Sequence, residues 1–368
     1  MLGERAKALS PTAAWVLPRS VLPLVAAIVF AFVLQLVVVP IVGPFYEKLL
    51  KDVGINCVLA VSLNLVNGFT GQFSIGHAGF MAVGGYVAGA ITYYGSFVLW
   101  GSAEIHGGFL EGGDLLFLAG CVAGGLVAAG AGYLVGLPSL RLRGDYLAIV
   151  TLGFGEIFRV IIQQTGDVLF LPQQVQDASA FTLATSLGGA LGFSGIPFYT
   201  TVFWVYLMLA GLMLVAFRLK VSSEGRAFLS IRENEIAAEA MGIDTTKYKV
   251  RAFVLAAFFA GIAGALFAHE TGTTLNPREL GFQKSFDIVI MVVLGGMGSI
   301  SGAVFAAMLL TLLPEALREF SEWRLVVYAI TLIVMMRVRP QGLFGIREIW
   351  ELGRGKRAAR APTNGGSA

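Results

Sequence analysis

The chain has 368 residues, of which 56% are hydrophobic and only 13% carry a charged side chain. Soluble domains have nearer a quarter of charged residues, so this composition excludes a soluble protein and indicates a polytopic membrane protein. The formal net charge is +3, and no nucleic-acid partner is expected.

Ten apolar runs along the chain predict membrane-spanning helices, because about 20 mostly apolar residues cross a bilayer. These runs cover residues 21–42, 52–67, 73–94, 115–137, 145–164, 199–217, 252–269, 283–297, 300–317 and 324–338. The N-terminal segment 1–20 is basic but lacks a signal-peptide cleavage site, so the first span is expected to be retained. The predicted fold is an all-α transmembrane bundle of about ten spans with broken helices, forming one membrane domain over 21–340.

The positions of the basic residues predict the orientation, because Lys and Arg are retained on the cytoplasmic side. A cytoplasmic N terminus places most of the 26 Lys and Arg residues inside, and the outer loops 95–114 and 165–198 contain none. The exceptions are Lys48, Lys51, Arg159, Arg278, Lys284, Arg318 and Arg324. Both termini are therefore predicted to be cytoplasmic. The tail 341–368 is basic and without apolar periodicity, which predicts disorder and contact with membrane lipid.

Small residues recur at four-residue spacing within the spans, which predicts close helix packing. The pairs are Gly85/Gly89, Gly120/Gly124 and Gly132/Gly136. Cys57 and Cys121 lie inside apolar spans, so no disulfide is expected.

The motif Gly-x-x-Gly-x-x-Ser occurs twice, at 68–74 after the second span and at 295–301 after the eighth. Duplicated halves are common in transporters. The abundance of glycine, with 47 residues in the chain, could produce the same match by chance.

A polar, glycine-broken patch separates the second and third spans. It comprises Asn64, Asn67, Gln72, Ser74 and His77. Discontinuous helices line substrate paths in transporters, because freed backbone groups need water or ligand. We expect a cavity on the translocation path here, and the alternative is a packed polar seam.

Two further sites place ionisable residues within spans, where a charge is costly and needs a partner or a cavity. Glu156 and Arg159 stand three residues apart and favour an ion pair over a transport role. Asp287 near the outer end of the eighth span is a candidate for the translocation path, or a side chain reaching water.

The charged stretch SIRENEIAAEAMGI, residues 230–243, lies in the inner loop 218–251. Ser230 and Glu233 have capping-box spacing, and Gly242 suits the left-handed position after a helix, so about three turns of amphipathic helix are predicted. Such a helix could rest at the membrane surface without a partner. Alternatively, its small alanines and exposed carboxylates could dock a cytoplasmic protein.

The sequence contains no Gly-x-x-x-x-Gly-Lys-Ser/Thr loop for phosphate and no Gly-x-Ser-x-Gly motif. His77, His106 and His269 occupy separate segments without metal-ligand spacing. We expect a membrane subunit with no catalytic, cofactor or metal site and no ATP hydrolysis of its own.

As a set, six segments resemble the LivM-type permease subunits of branched-chain amino acid ABC importers. They are LNLVNGFTGQFSIGHAGFMAVGGY (63–86), LRLRGDYLAIVTLGFGEIFR (140–159), RENEIAAEAMGI (232–243), KVRAFVLAAFFAGIAGALFA (249–268), VLGGMGSISGAVFAA (293–307) and RPQGLFG (339–345). The resemblance runs from about residue 55 to 345. It implies a permease forming half of a translocation path, with about ten helices.

The resemblance also implies partners. In that family the stretch at 233–242 is the coupling helix, which sits in a groove of the ATP-binding subunit. Here it maps onto Glu233, Asn234, Glu235, Ala237, Ala238, Glu239 and Gly242. A second permease of the LivH type, two subunits that bind ATP and Mg, and an extracytoplasmic substrate-binding protein are implied. The implied location is a prokaryotic plasma membrane, which is the inner membrane in a Gram-negative cell.

One segment departs from the family pattern. After residue 159 the family has a Thr-Gly-Gly-Pro-Asn-Gly-like stretch, whereas this chain has QQTGDVLFLPQQVQDASAFT over 163–182. An importer of urea, short amides or other amino acids is therefore an alternative. An alternative from another functional class is a secondary transporter driven by an ion gradient. A passive channel has less support, because the sequence contains no repeated filter motif.

Overall fold

The computed structural model describes residues 16–139, 146–270 and 274–317, together with scattered positions between 326 and 349. These residues form helices joined by turns, and the bridge between Phe193 and Leu275 is the one antiparallel bridge among them. The all-α prediction is confirmed for this part of the chain. Most of the predicted span 324–338, the first 15 residues and most of the tail lie outside it.

Thirteen α-helices are described within these ranges. The longer ones are α1 (Val16–Val33), α2 (Val39–Asn64), α3 (His77–Trp100), α4 (Gly112–Ser139), α5 (Tyr146–Gln163), α8 (Val202–Val221), α11 (Thr245–Ala268), α12 (Phe282–Gly295) and α13 (Ile300–Ala316). The shorter ones are α6 (Pro172–Asp177), α7 (Ala180–Thr185), α9 (Ser223–Glu233) and α10 (Glu235–Ala240). Leu34–Val38 and Leu65–Thr70 are π-helical turns, and Gly189–Leu191 is a 3₁₀ turn.

Six helices of the described residues are long and apolar enough to cross a membrane. The first of them, Val25–Thr70, joins the first two predicted spans. Gly43 interrupts it with φ of +78° and is followed by Pro44, so the helix kinks between those two spans. The shorter α12 and α13 correspond to the eighth and ninth predicted spans.

Helices α3, α4 and α11 pack closely against one another at the centre of the bundle. Their contacts are formed by glycines: a Cβ on Gly84 would overlap Gly261, and one on Gly264 would overlap the Met81 carbonyl oxygen. A Cβ on Gly124 would lie 2.5 Å from the Gly84 carbonyl oxygen. Of the predicted glycines, Gly85, Gly120 and Gly124 face backbone of a neighbouring helix in this way, whereas Gly89 faces the Ile196 side chain. The prediction of close packing is therefore confirmed for the first three.

The second half of α2 is the most enclosed element of the bundle. Its residues from 53 to 64 are buried, and it packs against α8, α11, α12 and α13. The π-helical turn that follows it is buried as well. The polar patch predicted after the second span therefore lies in the protein interior. Cys57 of α2 and Cys121 of α4 are buried and free, as expected.

The segment that departs from the family pattern, 163–182, is folded onto α3. It contains α6 and the beginning of α7, whose first turn is capped by the Ser179 hydroxyl accepting from Thr182 N at 3.2 Å. Tyr93 of α3 donates its hydroxyl to the Leu169 carbonyl at 3.2 Å, and Tyr94 donates to the Ser186 carbonyl. The first bond holds the segment, and the second holds the chain directly after α7, against α3 at one end of the bundle.

Candidate functional site

Two short helices, α9 and α10, fill the loop between α8 and α11. The side chain of Ser222 caps α9 by accepting from Gly225 N at 3.1 Å. Asn234 is extended, with φ of −159° and ψ of 107°, and ends α9. Its side-chain oxygen accepts from Ala237 N at 3.0 Å and so begins α10.

The prediction of one helix starting at a Ser230 and Glu233 capping box is therefore wrong. Ser230 lies inside α9, where its hydroxyl donates to the Ala227 carbonyl at 2.8 Å. The helix extends upstream because Phe228 and its neighbours bury an apolar face against the bundle. Asn234 interrupts the helix, because its short side chain can bond a nearby backbone amide and therefore favours a helix cap over a helix interior.

The predicted end of the segment is confirmed. Gly242 has φ of +83°, the left-handed conformation that favours glycine. Gly242 N donates to the Glu239 carbonyl at 2.9 Å and Ile243 N donates to the Ala238 carbonyl at 3.1 Å. These two bonds close the last turn of α10 and fix its direction relative to α11.

The outward surface of α10 combines apolar and acidic side chains. Ile236 is 68% exposed and Met241 is 83% exposed, although both are large apolar residues. The exposed neighbours are Glu233, Asn234, Ala237, Glu239 and Ala240. We call these seven residues the α10 surface. Exposed apolar side chains bordered by charges are typical of a protein interface.

Two predicted coupling residues also contact the rest of this chain. The Glu235 side chain, which is 30% exposed, forms an ion pair of 2.6 Å with Lys249, and Ala238 is buried. Glu239 also accepts from the Thr245 hydroxyl at 2.7 Å. These contacts fix α10 to the first turn of α11, so the α10 surface is held in one orientation.

Asn64 joins the two halves of the bundle in the interior. Its Nδ2 donates to the Ser299 carbonyl at 3.0 Å, and its Oδ1 accepts from Gly298 N at 2.9 Å. From the end of α2, the Asn64 side chain therefore provides hydrogen-bond partners for two backbone groups in the turn between α12 and α13. Asn64 and Ser299 are deeply buried polar residues, with exposures of 1% or less.

Among the other members of the polar patch, the side chains of Asn67 and His77 are hydrogen-bonded to protein, whereas the buried Ser74 Oγ has no hydrogen-bond partner among the described residues. Asn67 Oδ1 accepts from Ser74 N at 3.1 Å, and His77 Nε2 and the Ser62 hydroxyl are 2.7 Å apart. Gln72 is half-buried. Protein groups therefore satisfy the side chains of Asn64, Asn67 and His77, as in a packed polar seam. The role of these residues in the translocation path stays a prediction.

We expect Asn64→Leu to destabilise the protein by about 1–3 kcal/mol, because it removes the partners of the buried Gly298 amide and Ser299 carbonyl. Thermal unfolding of the detergent-purified protein measures this. Thr70→Val is the matched control, since Thr70 is buried nearby and its hydroxyl donates only within its own turn, to the Val66 carbonyl at 2.8 Å. Equal unfolding temperatures for the two variants would contradict the bridging role of Asn64.

The predicted ion pair between Glu156 and Arg159 is confirmed, with Arg159 Nη2 2.7 Å from Glu156 Oε2. The same carboxylate accepts from Phe282 N at 3.0 Å through Oε1, which ties α5 to the beginning of α12. Asp287 is half-buried on α12, close enough to Lys284 for the two charges to interact.

A polar cavity of about 560 Å³ opens at the end of the bundle opposite α10. The 24 residues of α11 separate the two ends, since an α-helix of that length spans about 36 Å. Its lining residues are Lys48, Asp52, Leu191, Phe267, Thr274, Asn276 and Glu279. Charges of both signs face this space. Within the described ranges no group of three or more His, Cys, Asp and Glu residues is placed to hold a metal.

Beside this cavity a chain of hydrogen bonds connects three helices. Lys284 Nζ donates to Asn56 Oδ1 at 3.0 Å, and Asn56 Nδ2 donates to the Thr311 hydroxyl at 3.0 Å. Our sequence reasoning missed Asp52, Lys284 and the cavity. The available signal was the run of ionisable residues at 47–52, which directly precedes an apolar span.

The comparisons with known proteins agree with this architecture. Residues 45–336 match the family model described as branched-chain amino acid transport system, permease component. No solved structure matches the chain.

Several curated proteins are similar over most of their length. The chain is 35% identical over 333 residues to the high-affinity branched-chain amino acid transport system permease protein LivM of Salmonella typhimurium, and 34% identical to LivM of Escherichia coli; each alignment covers 85% of this chain and 74% of the relative. It is 27% identical over 296 residues to the permease protein LivH of E. coli, covering 79% of this chain and 92% of that protein. The chain therefore belongs to the permease-component family of branched-chain amino acid transport systems.

Proposed function

We propose that this chain is one of two permease subunits of an ABC importer for branched-chain or related hydrophobic amino acids. It forms half of the translocation path and hydrolyses no ATP itself. A second permease of the LivH type forms the other half. Two ATP-binding subunits supply the energy, and an extracytoplasmic substrate-binding protein delivers the amino acid.

The α10 surface is the observation that carries this proposal. Ile236 and Met241 are held outward on a short helix whose orientation is fixed by the Glu235 to Lys249 ion pair. Holding large apolar side chains in water is costly unless a partner covers them. An ATP-binding subunit that receives α10 in a groove is such a partner, and the proposal therefore puts the loop 218–251 in the cytoplasm of a prokaryotic cell.

The polar cavity at the opposite end of the bundle supports transport from the outside of the cell to the cytoplasm. Its basic Lys48 and its acidic Asp52 and Glu279 provide charges of both signs, which suit the carboxylate and the ammonium group of a free amino acid. With α10 in the cytoplasm, this cavity opens toward the outside, where a binding protein would release its substrate.

Reconstitution in proteoliposomes tests the proposal. We expect ATP-dependent leucine uptake only when this chain, the second permease, the ATP-binding subunits and the substrate-binding protein are all present. Unlabelled isoleucine and valine should compete with labelled leucine, whereas urea and acetamide should not. Omission of this chain is the control.

Two results would overturn the assignment. Uptake by this chain alone that is abolished by a protonophore or by removing sodium would establish an ion-coupled transporter. ATP-dependent uptake of urea or an amide, without amino acid uptake, would keep the importer and replace its substrate.

A further inference from the structure

The end of α9 reaches the interior of the bundle through a single side chain. Nη1 of Arg232 donates to the Gly68 carbonyl at 2.7 Å and to the Met297 carbonyl at 3.3 Å. Gly68 belongs to the π-helical turn that ends α2, and Met297 belongs to the turn after α12. One guanidinium group therefore contacts two helix ends that are more than 200 residues apart in the chain.

These two helix ends are the sites of the repeated Gly-x-x-Gly-x-x-Ser motif, and the structure brings them together. A Cβ on Gly68 would lie 2.5 Å from Gly298 N, so the two turns meet without room for a side chain. Both contain a left-handed glycine, Gly71 with φ of +69° and Gly298 with φ of +96°. We call residues 65–71 and 296–299 the paired turns.

The stem of Arg232 contributes to this contact as well. A Cβ on Gly71 would lie 3.0 Å from Arg232 Cγ, so the aliphatic part of the side chain fills the space beside the first turn. The guanidinium group then lies over carbonyl groups at helix C-terminal ends. These carbonyls lack intrahelical partners and carry partial negative charge, which a cation neutralises.

The end of α8, just before α9, contacts the same place. Lys220, at the end of α8, donates through Nζ to the Gly298 carbonyl at 3.1 Å and forms an ion pair with Glu348. Glu348 in turn accepts from Ile300 N at 3.1 Å and from Ser301 N at 3.0 Å, which caps the start of α13. The second of the paired turns is thus contacted by Arg232 at the end of α9 and by Lys220 at the end of α8.

Glu348 acts here as an ionised group. Burial raises the pKa of its carboxyl, but the hydrogen bonds from Lys220 and from the Ser301 and Ile300 groups outweigh this and lower the pKa below its usual value. The attachment of Lys220 to this end of α13 is therefore a charged contact at neutral pH.

Only Glu233 separates Arg232 from Asn234, the residue that caps α10. A displacement of α10 by a docked partner is thus passed through two residues of backbone to Arg232. We propose that Arg232 transmits movement of α10 to the paired turns, and so couples nucleotide-driven movement of the ATP-binding subunits to opening of the translocation path. This inference rests on the proposed function. Arg232 acts as a positioning residue, without contact to the transported amino acid.

A matched pair of substitutions separates the hydrogen bonds of Arg232 from the packing of its stem. Arg232→Met keeps an unbranched stem beside Gly71 but removes every donor, whereas Arg232→Lys keeps a charged donor of similar length. Arg226→Met is the control on the same helix, since Arg226 is exposed and its Nη1 bonds only to the nearby Val221 carbonyl.

The variants are tested in the complete reconstituted complex. We expect Arg232→Met to assemble with the ATP-binding subunits, but to lose the stimulation of ATP hydrolysis by substrate-loaded binding protein and to reduce leucine uptake about tenfold or more, within the range typical of coupling between sites. Arg232→Lys should recover at least about half of the uptake, and Arg226→Met should match the wild type. Wild-type coupling in Arg232→Met, or no rescue by Arg232→Lys, would overturn the inference.

A distance measurement covers the case in which Arg232→Met does not fold. Spin labels at two exposed positions, Phe73 just after the first of the paired turns and Met297 within the second, report the separation of these turns in an otherwise native complex. We expect this distance to change between the nucleotide-free and ATP-bound states, and an unchanged distance would overturn the inference. If the wild-type chain does not associate with ATP-binding subunits at all, the proposed function fails instead.

Discussion

The substitution Ile236→Asp is expected to abolish co-purification of the ATP-binding subunits with this chain and to eliminate ATP-dependent uptake. Ile236 lies on the α10 surface with 68% of its area exposed. A partner that covers it would have to bury an unpaired carboxylate in the variant. Loss of a central interface residue costs about 2–4 kcal/mol, which weakens association roughly 30- to 1,000-fold.

The same substitution should leave the folded permease intact. Asn234 and Gly242 continue to cap α10 from both ends, and the ion pair of Glu235 with Lys249 does not involve Ile236. We therefore expect an unchanged elution volume and unfolding temperature for the purified chain.

Phe181→Asp is the matched control for this experiment. Phe181 is 78% exposed and lies in α7, in the segment folded over the other end of the bundle. It should retain the ATP-binding subunits. Equal recovery of those subunits with Ile236→Asp and with wild type would remove α10 from the interface, and α10 would then be a surface helix without a partner.

The substitution Gly264→Ala is expected to destabilise the bundle by more than about 3 kcal/mol, although it adds only one methyl group. The new Cβ would overlap the Met81 carbonyl oxygen and lie 2.9 Å from Gly85 N. Both obstacles are backbone atoms of α3, which cannot move aside as a flexible side chain can. The two helices would have to separate, and the neighbouring contact between Gly84 and Gly261 would be lost with them.

The yield of monodisperse protein and its thermal unfolding midpoint measure this effect. Gly211→Ala is the control, because Gly211 is an exposed helical position where a Cβ meets no atom within 4 Å. Alanine is the better helix former by about 1 kcal/mol, so Gly211→Ala should be neutral or stabilising. If both variants unfold at the same temperature, the glycine contacts do not set the spacing of α3 and α11.

These predictions draw on the sequence and the structure to different degrees. The helical class and the close packing at small residues follow from composition and four-residue spacing. The Glu156 to Arg159 ion pair, the left-handed Gly242 and the absence of a disulfide between Cys57 and Cys121 follow from local spacing as well. Each of these features depends on residues within a few positions of one another, or on the burial of whole apolar spans. Local geometry is sufficient to predict them.

The sequence contains a signal for the helix break at Asn234, but the prediction placed the helix start at Ser230 instead. Ser230 with Glu233 and Asn234 with Ala237 are competing starts for a helix in the same stretch. Local spacing does not choose between them. The choice is made by burial of Phe228 and Ile231, which extends α9 back to Ser223.

Contacts across the bundle could not be read from spacing. Glu235 pairs with Lys249, which the turn at 241–244 brings back beside it. Asn64 bonds to Gly298 and Ser299, more than 230 positions later.

The sequence alone thus determined that this chain is a helical membrane permease with two glycine-rich interruptions and a capped, charged segment between spans. Only the tertiary structure decided that the two interruptions touch, and that Arg232 joins both of them to that segment. The physical reason is that hydrophobicity and backbone conformation are properties of neighbouring residues. The partner of a buried polar group is set by which distant helices pack together.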